Sequence, residues 1–588
     1  MVGYDGRQTV ATVAMKQMKQ VRDLVARYLI TSALPYINGI KHLGNLVGSL
    51  LPADVAARTF RMEGDEVLFI CATDEHGTPA ELAAREAGQE VGEFARQEHL
   101  RQRAVYEAFG LSFDWFGRTS SAANHELTQR FYRKLDENGY IEEQTIRQFF
   151  SLDDGRFLPD RYVTGTCPHC GYDRARGDQC ENCTRVLDPV DLIRPRSTIS
   201  GSERLELRES RHLFLNLGPL ADRLRGFILA HADWPRLTTS VALKWLDEGL
   251  RPRAITRDLT WGVPVPREGF RDKVFYVWFD APIGYVGATK EWADADPARR
   301  DWQSWWLGQD DVRYIQFMAK DNLPFHTIFF PGMEMGSGEP WTLAAYIKGF
   351  SWLTYDGGKF STSQGRGIFM DQALDILPAD YWRYALLAQA PETDDADFTW
   401  ERFAAITNKD LVGMFGNFCH RVLTLTVANF GEAVPEGGEP GVFENRLCDA
   451  VRTSLETYRE HLRAFEYRRA VQEMRRLWSL GNLYLEERAP WRLVKEDRPA
   501  AALVLRHALN LMRVYALAAW PLMPDTARTI LTGLGRVDDV KEPRYAGAER
   551  LDTLIGGESL KPFPPLFRRL DADEVAVLRA RYAGTGPS

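Results

Sequence analysis

At 588 residues, with 45% hydrophobic and 26% charged side chains, the chain is too long for a single core and should divide into about three or four domains of roughly 150 residues each. Its formal charge of −8 excludes a nonspecific nucleic-acid coat, which needs a basic surface to release counterions, so any nucleic acid must be met by local basic patches. No run reaches the roughly 18 to 20 uninterrupted apolar residues of a membrane helix, and residues 1–26 lack the apolar centre and cleavage site of a secretory signal; a cytoplasmic protein with no membrane partner is expected, and 1–26 reads as an extension.

RYLITSALPY at 27, EVLFICATDEHG at 66 and VRYIQFMAKD at 312 are short apolar runs that end in polar residues. Separated by helical patterns, they are predicted as buried parallel strands of a Rossmann-like α/β domain over 27–139 and 256–349. Ligands of such sheets bind beyond the carboxyl ends of the strands, where Tyr36, Asp74, His76, Lys320 and Asp321 stand. NGIKHLGN (38–45) leads from the first strand into a helix, so His42 and Gly44 would offer a ring donor and backbone amides to a phosphate. Pro52 falls inside that helix and predicts a kink.

The segment 140–255 is predicted as an insertion. Its CPHCGYDRARGDQCENC sets Cys167, Cys170, Cys180 and Cys183 in a C-x2-C-x9-C-x2-C pattern. Two such knuckles make a closed tetrahedral thiolate site for one structural zinc or, less often, iron, with no position open to water. The remaining cysteines, Cys71, Cys419 and Cys448, are scattered, and an odd set argues against a disulfide framework. FYVWFDAPIGY (275–285) and KDNLPFHTIFFPGM (320–333) are dense in aromatics; such stripes are most often core, yet Trp278, Tyr285 and Phe329 with His326 would suit an apolar ligand carrying a polarisable sulfur.

In a linking region over 350–408, GGKFSTSQGRG (357–367) reads either as a surface loop or as a phosphate clamp, with Lys359 and Arg366 supplying charge and Ser361, Thr362 and Ser363 supplying hydroxyls. From 409 to 562, Leu455, Tyr458, Leu462 and Phe465, then Val471, Met474, Leu477 and Leu480, step by three and four, the stripe of an α-helical bundle. Residues 563–588 read as a tail.

Taken in order, these motifs resemble the methionyl-tRNA synthetases, a family of class I aminoacyl-tRNA synthetases, from about residue 27 to 560. ITSALPYINGIKHLGN is similar to the family's first strand and HIGH-type signature, here His42-Leu43-Gly44-Asn45, and GGKFSTS is similar to its KMSKS-type signature. FICATDEHGTP, YVWFDAPIGY, the four-cysteine insertion and ERAPW fall in the family's order. The resemblance implies a ligase that activates methionine with ATP and Mg2+ and charges initiator and elongator methionine tRNA; with about 25 residues after the last apolar cluster and no dimerising appendage among them, a monomer is expected. The resemblance also implies catalytic roles for His42, Asn45 and Lys359, and ATP contacts at His42, Gly44, Asn45, Asp321, Lys359, Ser361, Thr362 and Arg366. Methionine would sit among Ala33, Leu34, Tyr36, Asp74, Trp278, Ala281, Pro282, Tyr285, His326 and Phe329, with Asp74 taking its ammonium. Asn417, Arg421, Pro490 and Trp491 would read the anticodon in the helical domain, whose side chains can stack on accessible loop bases.

One departure stands out: Thr362 occupies the place of the family's second loop lysine, and Arg366 is the nearest cation able to substitute for it. A degenerate relative acting as an RNA- or methionine-binding regulator is the competing expectation, with Thr362 as its sole support. A leucine, isoleucine or valine enzyme lacks room here for its editing insertion, and a cysteine enzyme would turn its zinc toward substrate.

Overall fold

The computed structural model describes residues 25–584 apart from 178, 179, 181, 184, 186, 309 and 362–364. Residues 1–24 of the extension, Thr362 and Ser363 thus lie outside the described residues. The three apolar runs are strands β1 (Arg27–Ser32), β2 (Glu66–Thr73) and β4 (Val312–Ala319), joined by β3 (Trp115–Arg118) and β5 (Tyr346–Phe350). All five pair in parallel in the order β5-β4-β1-β2-β3. Ile30 lies in register with Phe69 on one side and Ile315 on the other, so β1 is central and buried on both faces, which is why its sequence does not alternate. The chain runs outward from β1 to β2 and β3, then returns to β4 on the other flank. That reversal opens a crevice at the carboxyl ends of β1 and β4.

Pro52 does not kink a regular helix. Residues Leu46–Leu50 form a π-helical turn, and Pro52 sits at the start of the α-helix that follows, α1 (Leu51–Glu63). A proline has no N–H to give the preceding turn, so a wider turn ending just before it leaves the helix intact.

The insertion has two parts. An antiparallel pair, Ile141–Ser151 with Leu205–Leu215, extends to a three-stranded sheet that carries the cysteines and has its own small core around Phe149, Leu158, Tyr162 and Val163. The helices Ala221–Ala230 and Arg236–Asp247 belong instead to the layer covering the parallel sheet, where Trp234 Nε1 donates to Ala345 O (3.1 Å) and Thr238 Oγ1 to Ile347 O (3.1 Å). The last third of 140–255 therefore packs with the sheet rather than with the knuckles.

Beyond α2 (Val91–Ala108), the C-terminal helices α3 (Asn417–Phe430), α4 (Val442–Arg463), α5 (Tyr467–Arg488) and α6 (Arg498–Ala519) form the bundle. Its core is continuous with one face of the sheet. Phe465 packs 5.2 Å from Phe317, and Tyr467 donates to Pro52 O at 2.7 Å. Arg383 meets Asp54 Oδ2 at 2.6 Å with both side chains fully buried. Burial alone would raise the Asp54 carboxyl, but Arg58, Arg383 and the Ser112 hydroxyl outweigh it and hold it down at about 2. The helix running from Trp400 to Phe430 is the one described helix long and apolar enough to cross a membrane; Phe403, Leu411, Phe415, Phe418 and Val422 turn that apolar surface into the bundle core. Residues 563–584, read as a tail, include a helix α7 (Ala572–Arg581) whose following Tyr582 is buried beside Trp400.

Candidate active site

His42 caps the three-residue helix that precedes the π turn: its Nδ1 accepts from the amides of Gly44 (3.1 Å) and Asn45 (3.3 Å), while Asn45 Oδ1 accepts from the His42 amide (3.3 Å). Two consequences follow. The Gly44 and Asn45 amides are occupied by the ring, so they are not the phosphate donors expected from the sequence. With Nδ1 accepting, the proton sits on Nε2, which becomes the donor available to a ligand. Burial, reinforced by Lys41, pushes the imidazole down to about 3, so it works as a neutral donor. The ring stacks on Phe360 at 4.3 Å, and a Cβ at Gly44 would come within 2.9 Å of it; glycine is needed there to admit the histidine.

Phe360 belongs to the 357–367 loop, so the loop and the His42 corner close on one cleft. Lys41, Asn45, Arg101, Asp321, Lys359 and Phe369 line it. Lys359 is exposed, its Nζ 5.7 Å from the Trp352 ring, and Trp352 Nε1 donates to Asp321 Oδ1 (3.3 Å). Ser361 and Arg366 pair as a backbone bridge across the loop. Arg366 departs from the sequence expectation. Its Nη2 donates to the carbonyls of Tyr355 (3.1 Å) and Asp356 (3.0 Å) beneath Gly358. The guanidinium braces the loop from inside instead of standing as a second cation over the cleft.

Asp74 follows β2 and is drawn beside Tyr36 by two backbone bonds, Asp74 N to Pro35 O and Ile37 N to Asp74 O, both 2.9 Å. Its side chain is buried, and Oδ1 has no partner among the described residues. Burial first, then the neighbouring Asp280 and Glu75, push its carboxyl well above the ordinary range. Asp280 is engaged by His76 Nδ1 (2.7 Å). Such an acid is poised for a cation from outside.

The aromatic wall is built next to it. Trp278 Nε1 donates to Tyr36 Oη (3.3 Å), and its indole packs 4.6 Å from Phe325. The Tyr285 hydroxyl donates to His326 Nε2 (2.8 Å) because His326 Nδ1 gives its proton to Asn322 O (2.9 Å); burial pushes this imidazole down to about 4. Ala33 and Leu34 line the cleft at the end of β1. Ala281 is half-buried and Pro282 buried at the start of the turn that leads to Tyr285. Phe329 stands behind the wall and not in it: it stacks on Phe325 (5.6 Å) and faces Trp245 (5.8 Å) and the Arg253 guanidinium (5.1 Å). Phe325, one turn earlier in the same run and next to His326, is the ring that meets Trp278, and sequence reasoning missed it.

In the bundle, the Arg421 guanidinium lies 5.3 Å over the Trp491 ring, which is 38% exposed. Asn417 is exposed one turn before Arg421 on α3. Pro490 is buried and opens the helix Pro490–Glu496, so it orients Trp491 and presents no surface of its own. The four cysteine sulfurs lie within 4.8 Å of one another, with Cys167–Cys183 at 3.8 Å and Cys170–Cys180 at 3.6 Å. A tetrahedron with metal–sulfur bonds of about 2.3 Å has edges of about 3.8 Å, so the cluster has the size of a zinc or iron site.

Comparison with known proteins agrees with this geometry. The sequence family described as tRNA synthetases class I (M) matches residues 28–423, and the anticodon binding domain of methionyl tRNA ligase matches 434–587. Methionine--tRNA ligase 1 of Acaryochloris marina is 57% identical over 558 residues, covering 95% of this chain and 100% of that protein. Methionine--tRNA ligase of Streptomyces avermitilis is 55% identical over 571 residues with the same coverage. The structure of Mycobacterium tuberculosis methionyl-tRNA synthetase in complex with methionyl-adenylate superposes with a TM-score of 0.75 at 26% identity, over 93% of this chain and 100% of that one. The chain belongs to the methionyl-tRNA synthetase family of class I tRNA synthetases.

Proposed function

We infer that this chain is a methionine–tRNA ligase. The observation that carries the reading is the meeting of the His42 corner and the Lys359 loop on one cleft at the ends of β1 and β4, with the buried, unpartnered Asp74 Oδ1 behind Tyr36, which lines that cleft. Asp74 takes the methionine ammonium, and the thioether chain lies among Leu34, Trp278, Phe325, Tyr285 and His326. The polar atoms of Tyr285 and His326 are engaged with each other and with Asn322 O, so the wall asks for no hydrogen bond and accepts a thioether.

A methionine carboxylate oxygen attacks the α-phosphorus of ATP; the bond from that phosphorus to the bridging oxygen breaks and its electron pair leaves with pyrophosphate. A ribose hydroxyl at the 3′ end of methionine tRNA then attacks the carbonyl carbon, AMP departs, and the hydroxyl proton is lost. The protein's share is positioning and charge: His42 Nε2–H donates to a phosphate oxygen, Asn45 and Asp321 border the nucleotide, and Lys359 with Ser361 meets the leaving pyrophosphate. Mg2+ would accompany ATP and offset the charge of its phosphates. The cysteine set would hold one structural zinc. Asn417, Arg421 and Trp491 would read the anticodon of initiator and elongator methionine tRNA, and the enzyme would act as a cytoplasmic monomer.

Charging of initiator and elongator methionine tRNA transcripts tests this reading. Acceptance of both is expected; a protein that binds them without forming the ester would contradict it.

A further inference from the structure

The wall of the cleft carries a cation that the roles above leave unused. Lys41 immediately precedes His42, and its backbone is pinned by the Met370 amide, which donates to Lys41 O at 2.9 Å. The turn before it is fixed by Gln102 Nε2, which donates to Tyr36 O (2.9 Å) and Gly39 O (3.1 Å). The ammonium donates to Asn38 Oδ1 at 2.9 Å and forms no ion pair among the described residues. The other lining cations differ: Arg101 is paired with Asp371 at 3.0 Å, and Lys359 rides on the loop. Burial pushes the Lys41 ammonium down to about 8, opposed by the nearby acidic groups, first Asp74 and then Glu98. A cation set in the wall near a buried acid, with donor capacity to spare, suits a ligand that carries both charges.

Methionine is such a ligand: one carbon separates its ammonium from its carboxylate. If Asp74 takes the first, the second must project toward the ATP side of the same wall. We propose that Lys41 is the contact for the amino-acid carboxylate, binding it and holding it toward the α-phosphate. This rests on the methionine reading of the site. Placing a positive charge there lets a carboxylate approach a triphosphate against like-charge repulsion, and Lys41 is fixed by its backbone rather than carried on a loop.

The test is equilibrium binding of methionine, methioninol and ATP, followed by intrinsic tryptophan fluorescence, in wild type, Lys41→Gln and Lys41→Arg, with circular dichroism to establish that each is folded. Methioninol keeps the ammonium and thioether and lacks the carboxylate. Lys41→Gln should weaken methionine by about tenfold or more, the scale of a charge-assisted contact, and leave methioninol within about twofold. Lys41→Arg should recover most of the loss. Equal weakening of methionine and methioninol, a loss confined to ATP, or no change would each overturn the role of Lys41 alone. A wild type that binds neither amino-acid ligand would overturn the reading of the site and the role of Lys41 with it.

Discussion

Arg579, near the chain's C-terminus, reaches Asp356 at the base of the 357–367 loop, with Nη2–Oδ1 at 3.2 Å and a further contact to Glu401 at 3.1 Å. At the loop's other end the Gly367 amide donates to Tyr582 O at 3.1 Å. Helix α7 thus clasps both feet of the loop that carries Lys359. The ion pair is half-exposed, so Arg579→Ala should leave the stability of the fold nearly unchanged. Released loop motion should slow methionine activation by up to about fivefold with little change in methionine KM. Comparing thermal denaturation with pre-steady-state activation separates the two; equal activation rates would mean that the clasp does not order the loop.

The Asp74 carboxyl gives a pH dependence with a definite sign. Its raised pKa means that the free protein holds the proton above the ordinary carboxylate range, whereas an ammonium partner needs the ionised form. Methionine affinity should therefore climb as pH rises through the raised pKa, with proton release on binding, and fall below it. The same shift makes the ionised acid a cost to the fold above its unfolded pKa, lost again as pH falls. Asp74→Asn should accordingly melt higher at neutral pH, by about 1 kcal/mol, while losing methionine binding. A variant that melts lower would contradict the assignment.

For the cysteine cluster, the expected outcome is local. Around Phe149, Leu158, Tyr162 and Val163 the insertion has only a small core, too little to hold itself without a staple. Cys167→Ser or Cys180→Ser should lower bound zinc and raise hydrogen exchange across 160–198 while β1–β5 stay protected. Elemental analysis finding neither zinc nor iron in protein purified without chelator would contradict it.

Trp491 stands on the bundle, away from the cleft, with Arg421 over its ring. Trp491→Ala should leave pyrophosphate exchange nearly intact and cost about 1 to 3 kcal/mol in aminoacylation, the scale of one lost base stack. Equal losses in both assays would identify a folding role.

The strands, the cysteine knuckles and the helical stripe were legible because each is a local pattern with a fixed period or spacing. The site was legible only as far as side-chain identity goes. Arg366 has the right charge in the right loop, yet the loop folds back so that the carbonyls of Tyr355 and Asp356 take its Nη2. Phe325 and Phe329 share a run, and the π-helical turn between Phe325 and Phe329 decides which ring meets Trp278. The amides at Gly44 and Asn45 look free for phosphate until the His42 ring is seen to occupy them. Helix α7 gave no signal as a clasp, because Arg579 and Asp356 lie 223 residues apart. Each of these depends on backbone direction or on long-range contact, which composition and periodicity do not carry.

ATP–pyrophosphate exchange with each of the twenty amino acids, one at a time, tests the central claim most directly. Methionine should drive rapid exchange, with the other nineteen far slower, since the Asp74 anchor is common to all while the aromatic wall admits an unbranched thioether. Lys359→Ala should slow the methionine reaction by about 2.7 to 4 kcal/mol, the scale of one lost preorganised donor. No exchange with methionine, or faster exchange with another amino acid, would contradict the account.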